Sequence, residues 1–516
     1  MNQHSSTIYD VLVVGGGING CGIARDLAGR GLKVVLIEKG DLASGTSSGS
    51  TKLIHGGLRY LEHYAFGLVR AALKEREVLL KSAPHIVWPL RFVLPHRPQM
   101  RPAWLVRLGL RLYDLLGGRK ELPPTSTINL SRHPAGEVLK DDFGLAYVYS
   151  DCWVDDARLV ILNAIDAARL GANIRTHTKL TKCRWLNGLW SASILDNRNC
   201  EGEILARIVV NAAGPFADDV ARMIGMNSPV PKLRRVQGTH IVVPKLFCHD
   251  LCYTLQHRDG RVLFTIPYEE SFTLVGTTDF EPDETNNSIV PSAGEISYLV
   301  EAINENFSTK ISETDIVWAF SALRPLVPSS KKKAHQASRD YSVKIADSLT
   351  HGRSVHVLGG KLTTYRILSE NVGEKVARMQ GITIPSWTAG TPLPGGDLPF
   401  KGKDEWRQRM VKRFSFLPEA CLARLLRLYG TMIELVLKDA ESLDDMGPHL
   451  GLGLYVKEVN YLLKHEWAQT AEDILWRRTK LGLHDYDGSL RRSLSAYIAE
   501  YSGLALPSLE GQPKSN

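Results

Sequence analysis

The stretch IYDVLVVGGGINGCGIARDLAGRGLKVVLIE, residues 8–38, decides the fold class. It begins with an apolar, β-branched run that is typical of a buried parallel strand, and a second such run ends at Glu38. Between the two runs, Gly15, Gly17 and Gly20 fit the pattern G-x-G-x-x-G and open a helix-compatible segment. A strand, a glycine turn, a helix and a second strand ending in an acid predict a Rossmann-type, dinucleotide-binding α/β domain.

Each of these residues has a physical role in binding a dinucleotide. Gly15 permits a tight turn, Gly17 lets the backbone approach a pyrophosphate, and Gly20 permits close packing of the helix on the strand. The helix N-terminus, where Asn19 lies, is predicted to receive the phosphate charge. Glu38 is predicted to accept hydrogen bonds from a ribose. The alternative is a doubly wound fold without a nucleotide, which the strand–turn–helix context disfavours.

The next loop favours FAD over NAD. Residues 42–51 read LASGTSSGST, and small side chains throughout allow such a loop to lie flat along an extended dinucleotide. A nicotinamide enzyme does not need this second cradle, whereas a buried flavin does. A flexible linker is the alternative, but the ordered-looking run 52–55 follows without a break. The FAD contacts predicted in this segment are Thr46, Ser47, Ser48, Lys52 and Leu53.

Composition narrows the remaining classes of function. The chain has 516 residues and a formal net charge of +8, which could serve nucleic acid, an anionic membrane surface or an anionic substrate. No contiguous Lys/Arg stripe with interleaved aromatic residues is found, so no nucleic-acid partner is expected. The 7 cysteines are dispersed without paired C-x-x-C motifs, so no metal site is expected.

Several longer motifs carry a resemblance to a known family. They are GGGINGCG (15–22), TSSGSTKLIHGGLRYLEHY (46–64), SDCWVDDARLV (150–160), GTHIVVP (238–244), VGTTDFE (275–281), LRPL (323–326), SRDY (338–341) and GGKLTTYR (359–366). From about residue 8 to about residue 505 the sequence closely resembles the aerobic FAD-dependent glycerol-3-phosphate dehydrogenases. One departure is Thr239, where serine is more frequent in the family, and the change is conservative.

The resemblance implies a fold and an activity. The fold is similar to that of glycine oxidase, and the reaction is oxidation of sn-glycerol 3-phosphate to dihydroxyacetone phosphate by hydride transfer to FAD. The resemblance also implies that electrons pass to a membrane quinone and that the protein is peripheral on the inner face of the cytoplasmic membrane. A glycerol-3-phosphate oxidase that uses O2 and an amino-acid oxidase of the same fold are the alternatives. The sequence leaves the oligomeric state open and is compatible with a homodimer.

The pattern of strands and helices predicts three parts. Residues 8–231 and 340–390 are expected to form a discontinuous FAD-binding domain, with a helical insertion at about 65–148. Alternating strand patterns in 232–339 predict an antiparallel substrate-binding domain. A proline- and glycine-rich boundary precedes a helical C-terminal domain, predicted at 391–516, which shows no catalytic motif.

Cations and histidines are the candidates for binding and oxidising a phosphorylated polyol. Arginine forks match phosphate oxygens, and the substrate hydroxyl must lose a proton as its carbon loses a hydride. His240 is the predicted base, with His55 second, and Arg324 and Lys361 are predicted to lower the pKa of the alkoxide. Thr277, Thr278 and Asp279 are predicted to line the pocket, and a turn capped by Asp279 is the alternative. The residues predicted to bind substrate are Arg59, Tyr60, His55, Arg339, Thr278 and Asp279.

A second glycine turn is predicted to contact the flavin. Reduced flavin tends to carry negative charge, and a helix that starts after Gly360 would direct its amide groups towards that charge. The predicted contacts here are Gly360, Lys361, Leu362, Thr363 and Thr364. The buried strand ending in small residues at Ala213 and Gly214 is also expected to approach the cofactor closely.

Residues 101–116, RPAWLVRLGLRLYDLL, predict an amphipathic helix with an unusually wide apolar face. On a helical wheel Trp104, Leu108 and Leu115 share that face, while Arg107 and Arg111 belong to a narrow polar stripe. With further basic residues around it, the segment resembles an in-plane membrane helix. A buried inter-domain helix is the alternative, and the quinone implied by the resemblance favours the membrane.

Overall fold

The computed structural model describes residues 7–97, 101–118, 121–140, 143–224, 230–257, 260–281, 289–327, 340–348, 352–398 and 402–503. It divides into two compact units, Met1–Phe400 and Lys401–Asn516. The strands of the first unit are β1 (Ile8–Val14), β2 (Val34–Ile37), β3 (Leu53–Ile54), β4 (Val87–His96), β5 (Ser126–Asn129), β6 (Leu145–Val154), β7 (Asn173–Arg175), β8 (Thr178–Leu186), β9 (Leu189–Asp196), β10 (Glu201–Asn211), β11 (Arg234–Pro244), β12 (Cys252–Gln256), β13 (Val262–Tyr268), β14 (Phe272–Gly276), β15 (Trp318–Leu326), β16 (Ser342–Ser348) and β17 (Gly352–Leu358).

Eight α-helices accompany these strands among the described residues. They are α1 (Ile18–Gly29), α2 (Phe66–Ser82), α3 (Ala103–Leu116), α4 (Pro134–Glu137), α5 (Asp156–Arg169), α6 (Ala217–Met223), α7 (Ala293–Asn306) and α8 (Tyr365–Met379). No helix of the described residues has the length and apolar character needed to cross a membrane.

The first sheet is the predicted dinucleotide-binding sheet. Its main path runs β16-β17-β10-β1-β2-β7, and β8 and β9 form a hairpin that joins it through β10. β1 lies between β2 and β10, and both pairings are parallel. Every residue of β2 is buried, which is why its sequence is continuously apolar rather than alternating. Helix α1 packs against α5 and α8.

The second sheet provides the other wall of the site. Its main path runs β15-β11-β14-β13-β12-β4-β6-β3, with β5 paired to β6. The run from β15 to β12 is antiparallel, as the alternating patterns in 232–339 predict, and β12 pairs with β4 in parallel. The segment predicted as a helical insertion supplies α2 and α3, but also β4, β5 and the start of β6. The prediction of a purely helical insertion was therefore wrong: β4 and β5 both pair with β6, and β4 also joins the distant β12.

The second unit is mainly helical. Its helices are α9 (Lys403–Arg413), α10 (Glu419–Tyr429), α11 (Ile433–Leu437), α12 (Val456–His465) and α13 (Ser489–Ser502), and a short hairpin pairs β18 (His449–Gly451) with β19 (Leu454–Tyr455). A π-helical turn occupies Asp473–Arg478. Inside the second unit, Arg424 of α10 forms an ion pair with Glu458 of α12, with 2.7 Å between nitrogen and oxygen.

A candidate flavin and substrate site

The glycine turn after β1 leaves room only for backbone. Gly15 has a φ of 115°, and a Cβ added there would lie 2.6 Å from the carbonyl oxygen of Ala212, at the end of β10. A Cβ on Gly20 would lie 1.9 Å from the carbonyl oxygen of Gly15. Gly17 is the residue immediately before the first turn of α1. The N-terminus of α1 therefore lies directly beside the ends of two parallel strands, as the motif predicts.

Glu38 closes this turn from the end of β2. Its carboxylate accepts hydrogen bonds from the amide groups of Gly16, at 2.6 Å, and Gly40, at 2.9 Å. Ala213 and Gly214 follow β10 on the other side of β1. The ends of β1, β2 and β10 thus bring the acid and the small residues to one edge of the sheet, where doubly wound folds bind nucleotides.

The loop 42–51 is fastened to both sheets. The hydroxyl of Ser47 accepts a hydrogen bond from the amide of Ile18, in α1, at 2.9 Å. The hydroxyl of Thr46 donates to the carbonyl of Leu323, in β15, at 2.6 Å. A Cβ on Gly49 would lie 2.4 Å from the Cβ of Ala322. Because its side chains are small and bonded on both sides, the loop is ordered structure rather than a linker.

Lys52 fastens the end of the same loop. Its side chain is fully buried, and its ammonium group lies 2.8 Å from the Asp156 carboxylate and 3.0 Å from the carbonyl of Ser48. Leu53 follows in β3 and is also buried. The lysine predicted to bind the cofactor therefore has its charge balanced by Asp156, and its visible contact with the loop is to the loop's own backbone.

The second glycine turn meets α1 as well. The side-chain amide of Asn19 donates to the carbonyl of Gly359 at 3.2 Å, and a Cβ on Gly360 would lie 3.1 Å from the Asn19 amide nitrogen. Residues Leu362–Thr364 form a 3-10 turn, and α8 begins at Tyr365. Thr363 and Thr364 are buried beside this turn. The predicted helix start near residue 362 is thus a 3-10 turn that leads into α8.

A cavity of about 490 Å³ opens next to these turns in the first unit. His55, Arg59 and Tyr60 line one side, and Thr277 and Asp279 line the other. The ammonium group of Lys361 lies 3.7 Å from the centre of the Tyr60 ring, a cation–π contact. Further lining comes from apolar residues of β4, α3 and the segment before α2, among them Leu94, Leu105, Leu108, Tyr64 and Phe66.

Arg324 reaches the same cavity from β15 through its hydrogen-bond partners. Its guanidinium group forms an ion pair with Asp279 and donates to the Thr277 hydroxyl at 2.8 Å. The predicted cation and the predicted acid are therefore paired with each other, and Thr277 is a third member of the group. Arg339 lies outside the described residues.

His240 is fully buried in β11 and stacks on Phe320, with ring centres 5.0 Å apart. Its Nε2 atom lies 2.9 Å from the hydroxyl of Thr51, while Nδ1 has no hydrogen-bond partner in the part of the chain that the structure describes. Burial, followed by the positive charges of Arg324 and Lys52, holds the pKa of His240 well below its ordinary value. The imidazole is therefore neutral at neutral pH, and the same burial and positive charges make it a weaker proton acceptor than an exposed histidine. His240 is not among the residues that line the cavity.

Thr278 points away from the cavity. Its hydroxyl donates to the carboxylate of Glu295 at 2.7 Å, as does the hydroxyl of Thr239, and it accepts from the amide of Thr239 at 2.8 Å. Burial alone raises the pKa of Glu295, but hydrogen bonds from Thr239, Thr278 and Ser292 outweigh it and hold that pKa below its ordinary value. Glu295 thus fixes the turn that carries Thr277 and Asp279.

Two contributors to the site were not predicted from the sequence: Thr51 and Glu295. Thr51 is the last residue of the loop 42–51 and adjoins the predicted Lys52, which is the signal that could have indicated it. Ser292 and Glu295 have the spacing of a helix capping box, which the structure contains. The spacing predicts the start of α7 but not the contacts of Glu295 with β11, because those partners are distant in sequence.

Helix α3 is exposed on one face. Trp104 is 67% exposed, Leu108 56% and Leu115 72%, whereas Leu110 and Tyr113 are buried. Tyr64, 82% exposed, lines the cavity together with Leu108. One apolar surface, defined by Trp104, Leu108, Leu115 and Tyr64, therefore includes two residues that line the cavity.

The edge formed by β1, β2, β10 and α1 fits the adenosine diphosphate half of FAD. The glycines leave the backbone accessible, and Glu38 has the place of a ribose acceptor. The side-chain oxygen of Asn19 is buried without a hydrogen-bond partner among the described residues, which leaves a polar atom available where the glycine turns meet. Gly360 and the Thr363–Thr364 turn lie between this edge and the cavity, where the flavin end would extend.

Comparisons with known proteins agree with this geometry. A family model described as FAD dependent oxidoreductase matches residues 10–366, and one described as the C-terminal domain of alpha-glycerophosphate oxidase matches residues 386–497. The chain is 44% identical over 500 residues to an aerobic glycerol-3-phosphate dehydrogenase of Escherichia coli, covering 96% of this chain and 98% of that protein. It is 46% identical over 479 residues to a D-erythritol 1-phosphate dehydrogenase of Brucella abortus, covering 92% of this chain and 95% of that protein.

Solved structures confirm the fold. A glycerol-3-phosphate dehydrogenase from Bacillus halodurans, complexed with FAD, superposes with a TM-score of 0.78 at 27% identity, covering 97% of this chain and 92% of that one. A glycine oxidase from Geobacillus kaustophilus has a TM-score of 0.56 at 18% identity over 75% of this chain and 99% of that one, which confirms the glycine-oxidase-like architecture alone. FAD is therefore the cofactor, as the sequence predicts. The chain belongs to the FAD-dependent oxidoreductase family, in the group of the aerobic glycerol-3-phosphate dehydrogenases.

Proposed function

We propose that the protein oxidises sn-glycerol 3-phosphate to dihydroxyacetone phosphate. The observation that supports this most is the placement of three cations around one cavity next to the FAD cradle. Arg59 lines the cavity, Lys361 contacts its Tyr60, and Arg324 contacts its Asp279. A dianionic phosphate and a developing alkoxide both require such positive charge. An amino acid substrate needs fewer cations, so this cluster favours the phosphorylated polyol.

The proposed roles follow from the contacts. Bound FAD supplies the two-electron acceptor for the hydride that leaves the carbinol carbon. His240 is proposed to accept the proton of the carbinol hydroxyl, although burial and the nearby cations lower its pKa. Arg324 and Lys361 are proposed to stabilise the oxygen as that proton leaves, and Arg59 to bind the phosphate. In this scheme, residues 8–231 and 340–390 hold FAD and residues 232–339 supply the opposite wall.

A four-carbon polyol phosphate is a second candidate substrate. The 46% identical relative from Brucella abortus is named for D-erythritol 1-phosphate. The cavity of about 490 Å³ would also take the flavin end, so its volume does not distinguish the two substrates. Both substrates present the same phosphate and a carbinol carbon, so the cations around the cavity do not distinguish them.

Anaerobic flavin reduction tests the proposal and separates these substrates. The purified protein is mixed with sn-glycerol 3-phosphate, D-erythritol 1-phosphate or glycine, and the flavin absorbance is followed by stopped flow. We expect loss of the oxidised flavin spectrum with glycerol 3-phosphate and a smaller rate constant with erythritol 1-phosphate. Faster reduction by erythritol 1-phosphate would assign the tetritol substrate instead. If glycine reduces the flavin and neither polyol phosphate does, the phosphorylated-polyol proposal is refuted.

We propose a membrane quinone as the electron acceptor and a peripheral position on the inner face of the cytoplasmic membrane. The apolar surface of Trp104, Leu108, Leu115 and Tyr64 supports both, because two of its residues line the cavity that would hold the reduced flavin's end. Reoxidation of the reduced enzyme by a soluble quinone and by O2 distinguishes the dehydrogenase from the oxidase alternative. Stoichiometric hydrogen peroxide with O2, at a rate equal to that with quinone, would favour the oxidase.

A further inference from the structure

Tyr113 connects α3 to the segment that carries the predicted phosphate-binding arginine. Its ring is buried, with 1% of the residue exposed, on the inner face of α3. Its hydroxyl accepts a hydrogen bond from the amide of Gly56 at 2.8 Å. The same hydroxyl donates to the Asp151 carboxylate, at 2.8 and 2.9 Å to its two oxygens. Because the O–H group of Tyr113 points to Asp151, a lone pair of the tyrosine oxygen is left to accept the hydrogen bond from Gly56.

Asp151 is itself held in place. The guanidinium group of Arg76, in α2, lies 2.9 Å from its carboxylate and donates to the carbonyl of Ser150 at 2.8 Å. Asp151 is buried in β6, a central strand of the second sheet. The Tyr113 hydroxyl is therefore oriented by a fixed acid rather than by solvent, which makes it a stable acceptor for one particular amide group.

Gly56 packs directly on this tyrosine. A Cβ added to Gly56 would lie 2.8 Å from Cε2 of Tyr113 and 2.6 Å from Cδ2 of Leu73, so only glycine lets the backbone come this close. On the other side, the amide of His55 donates to the hydroxyl of Thr363, in the second glycine turn, at 3.2 Å. Residues 55–56 are thus held between Thr363 and Tyr113, three residues before Arg59 enters the cavity.

We propose that Tyr113 is a positioning residue for substrate binding, which holds the 55–59 segment so that Arg59 faces the substrate phosphate. The proposal rests on the proposed function for the identity of the substrate. Tyr113 touches neither the substrate nor the flavin in this scheme, and it acts through the Gly56 amide. A tyrosine with only a packing role would need its ring but not its hydroxyl, and that difference can be measured.

Tyr113→Phe removes the hydroxyl and keeps the ring. We expect KM for glycerol 3-phosphate to rise about tenfold, the factor that corresponds to one buried amide left without an acceptor, while kcat changes less than twofold. Hydrogen–deuterium exchange of the Gly56 amide should become faster by a similar factor. Tyr253→Phe is the matched control, because Tyr253 is equally buried and donates to the carbonyl of Ala135 at 2.7 Å, away from the cavity.

Flavin absorbance and the unfolding temperature are measured on both variants to confirm folding. The proposal is supported if Tyr113→Phe raises KM and speeds exchange of the Gly56 amide, while Tyr253→Phe changes neither quantity. An unchanged KM or unchanged Gly56 exchange overturns it. If Tyr113→Phe loses flavin, Gly56→Ala displaces the segment with the hydroxyl intact, and an unchanged KM in that variant likewise overturns the proposal.

The proposed substrate and the proposed positioning role of Tyr113 can be refuted independently of each other. A wild-type flavin that glycerol 3-phosphate does not reduce would overturn the proposed substrate, but Gly56 exchange needs no substrate. KM is then measured with the polyol phosphate that does reduce the flavin, and the same comparison of Tyr113→Phe with Tyr253→Phe decides the positioning role.

Discussion

The contacts of Arg324 include one charged and two neutral oxygen atoms. Its guanidinium group pairs with Asp279, donates to the Thr277 hydroxyl, and lies 3.3 Å from the carbonyl of Thr278. An anionic substrate that binds here meets a cation whose charge Asp279 already offsets. The Arg324–Asp279 pair is therefore close to neutral by itself until Arg324 is shared with substrate oxygen.

Arg324→Ala should reduce kcat/KM for glycerol 3-phosphate by about 10²–10³-fold, since it removes a charged donor and leaves Asp279 facing an anionic substrate. FAD should stay bound, because no described contact of Arg324 involves the glycine turns. Steady-state kinetics and flavin content are the measurements. Arg234→Ala is the control, because Arg234 forms a partly exposed pair with Glu281. Turnover within twofold of wild type would remove Arg324 from the site.

At this scale, local motifs were predictable and side-chain partners were not. Gly15, Gly20 and Glu38 lie where the β-turn-α-β pattern places them, because all three belong to one continuous segment. The pairing of Arg324 with Asp279 and of Lys52 with Asp156 depends on strands far apart in sequence. A charge in a motif indicates that charge is needed there, but its partner is fixed by the tertiary structure.

For helix α3 too, the sequence predicts the element but not which residues it contacts. The sequence predicts a helix over 101–116, and α3 spans Ala103–Leu116. The apolar arc is too wide for a helical wheel to tell which side packs inward. In the structure the side with Leu110 and Tyr113 is buried, while Trp104, Leu108 and Leu115 are exposed. The burial of Tyr113 follows from its contacts with Gly56 and Asp151, which no periodicity indicates.

If α3 binds the membrane surface, its exposed arginines should contribute to that binding. Arg107 and Arg111 are exposed beside the apolar surface. Replacing both by alanine should weaken binding to vesicles containing anionic lipid about 30-fold at low salt, from about 1 kcal/mol for each arginine near such a surface. Co-sedimentation with vesicles is the measurement.

The matched control is the double variant Lys182→Ala/Arg184→Ala, which removes two exposed cations from β8. It should bind vesicles as the wild type does. Equal loss of binding in both double variants would show attraction by net charge alone. No loss in the Arg107/Arg111 variant would contradict a role of α3 at the membrane.

The whole molecule consists of two compact units with different tasks. Every residue predicted to contact FAD or substrate belongs to the first unit, which covers residues 1–400. The fold class was predictable because the first sheet begins with a continuous, recognisable unit. The composition of the second sheet was less predictable, since β4 pairs with β12, which follows it only after more than a hundred residues of intervening chain.

Removing FAD should destabilise the first unit selectively. A ligand that binds only the folded state, at a free concentration a thousandfold above its Kd, adds about 4 kcal/mol to the free energy of unfolding. Calorimetry of the protein with and without FAD should show one transition that shifts by several degrees and another that does not move. Hydrogen exchange should assign the unmoved transition to peptides from 402–503. One transition that shifts as a whole would contradict this independence.

The order of the strands has a consequence for synthesis on the ribosome. In order of synthesis, β1 and β2 belong to the first sheet, β3–β6 to the second, β7–β10 to the first, β11–β15 to the second, and β16 and β17 to the first. One edge of β4 therefore stays unpaired until β12 is synthesised, and one edge of β10 stays unpaired until β17 is synthesised. At about 5–20 residues per second these edges stay unpaired for roughly 7–30 s. We expect the nascent chain to need chaperones during this interval, and slower translation to lengthen it.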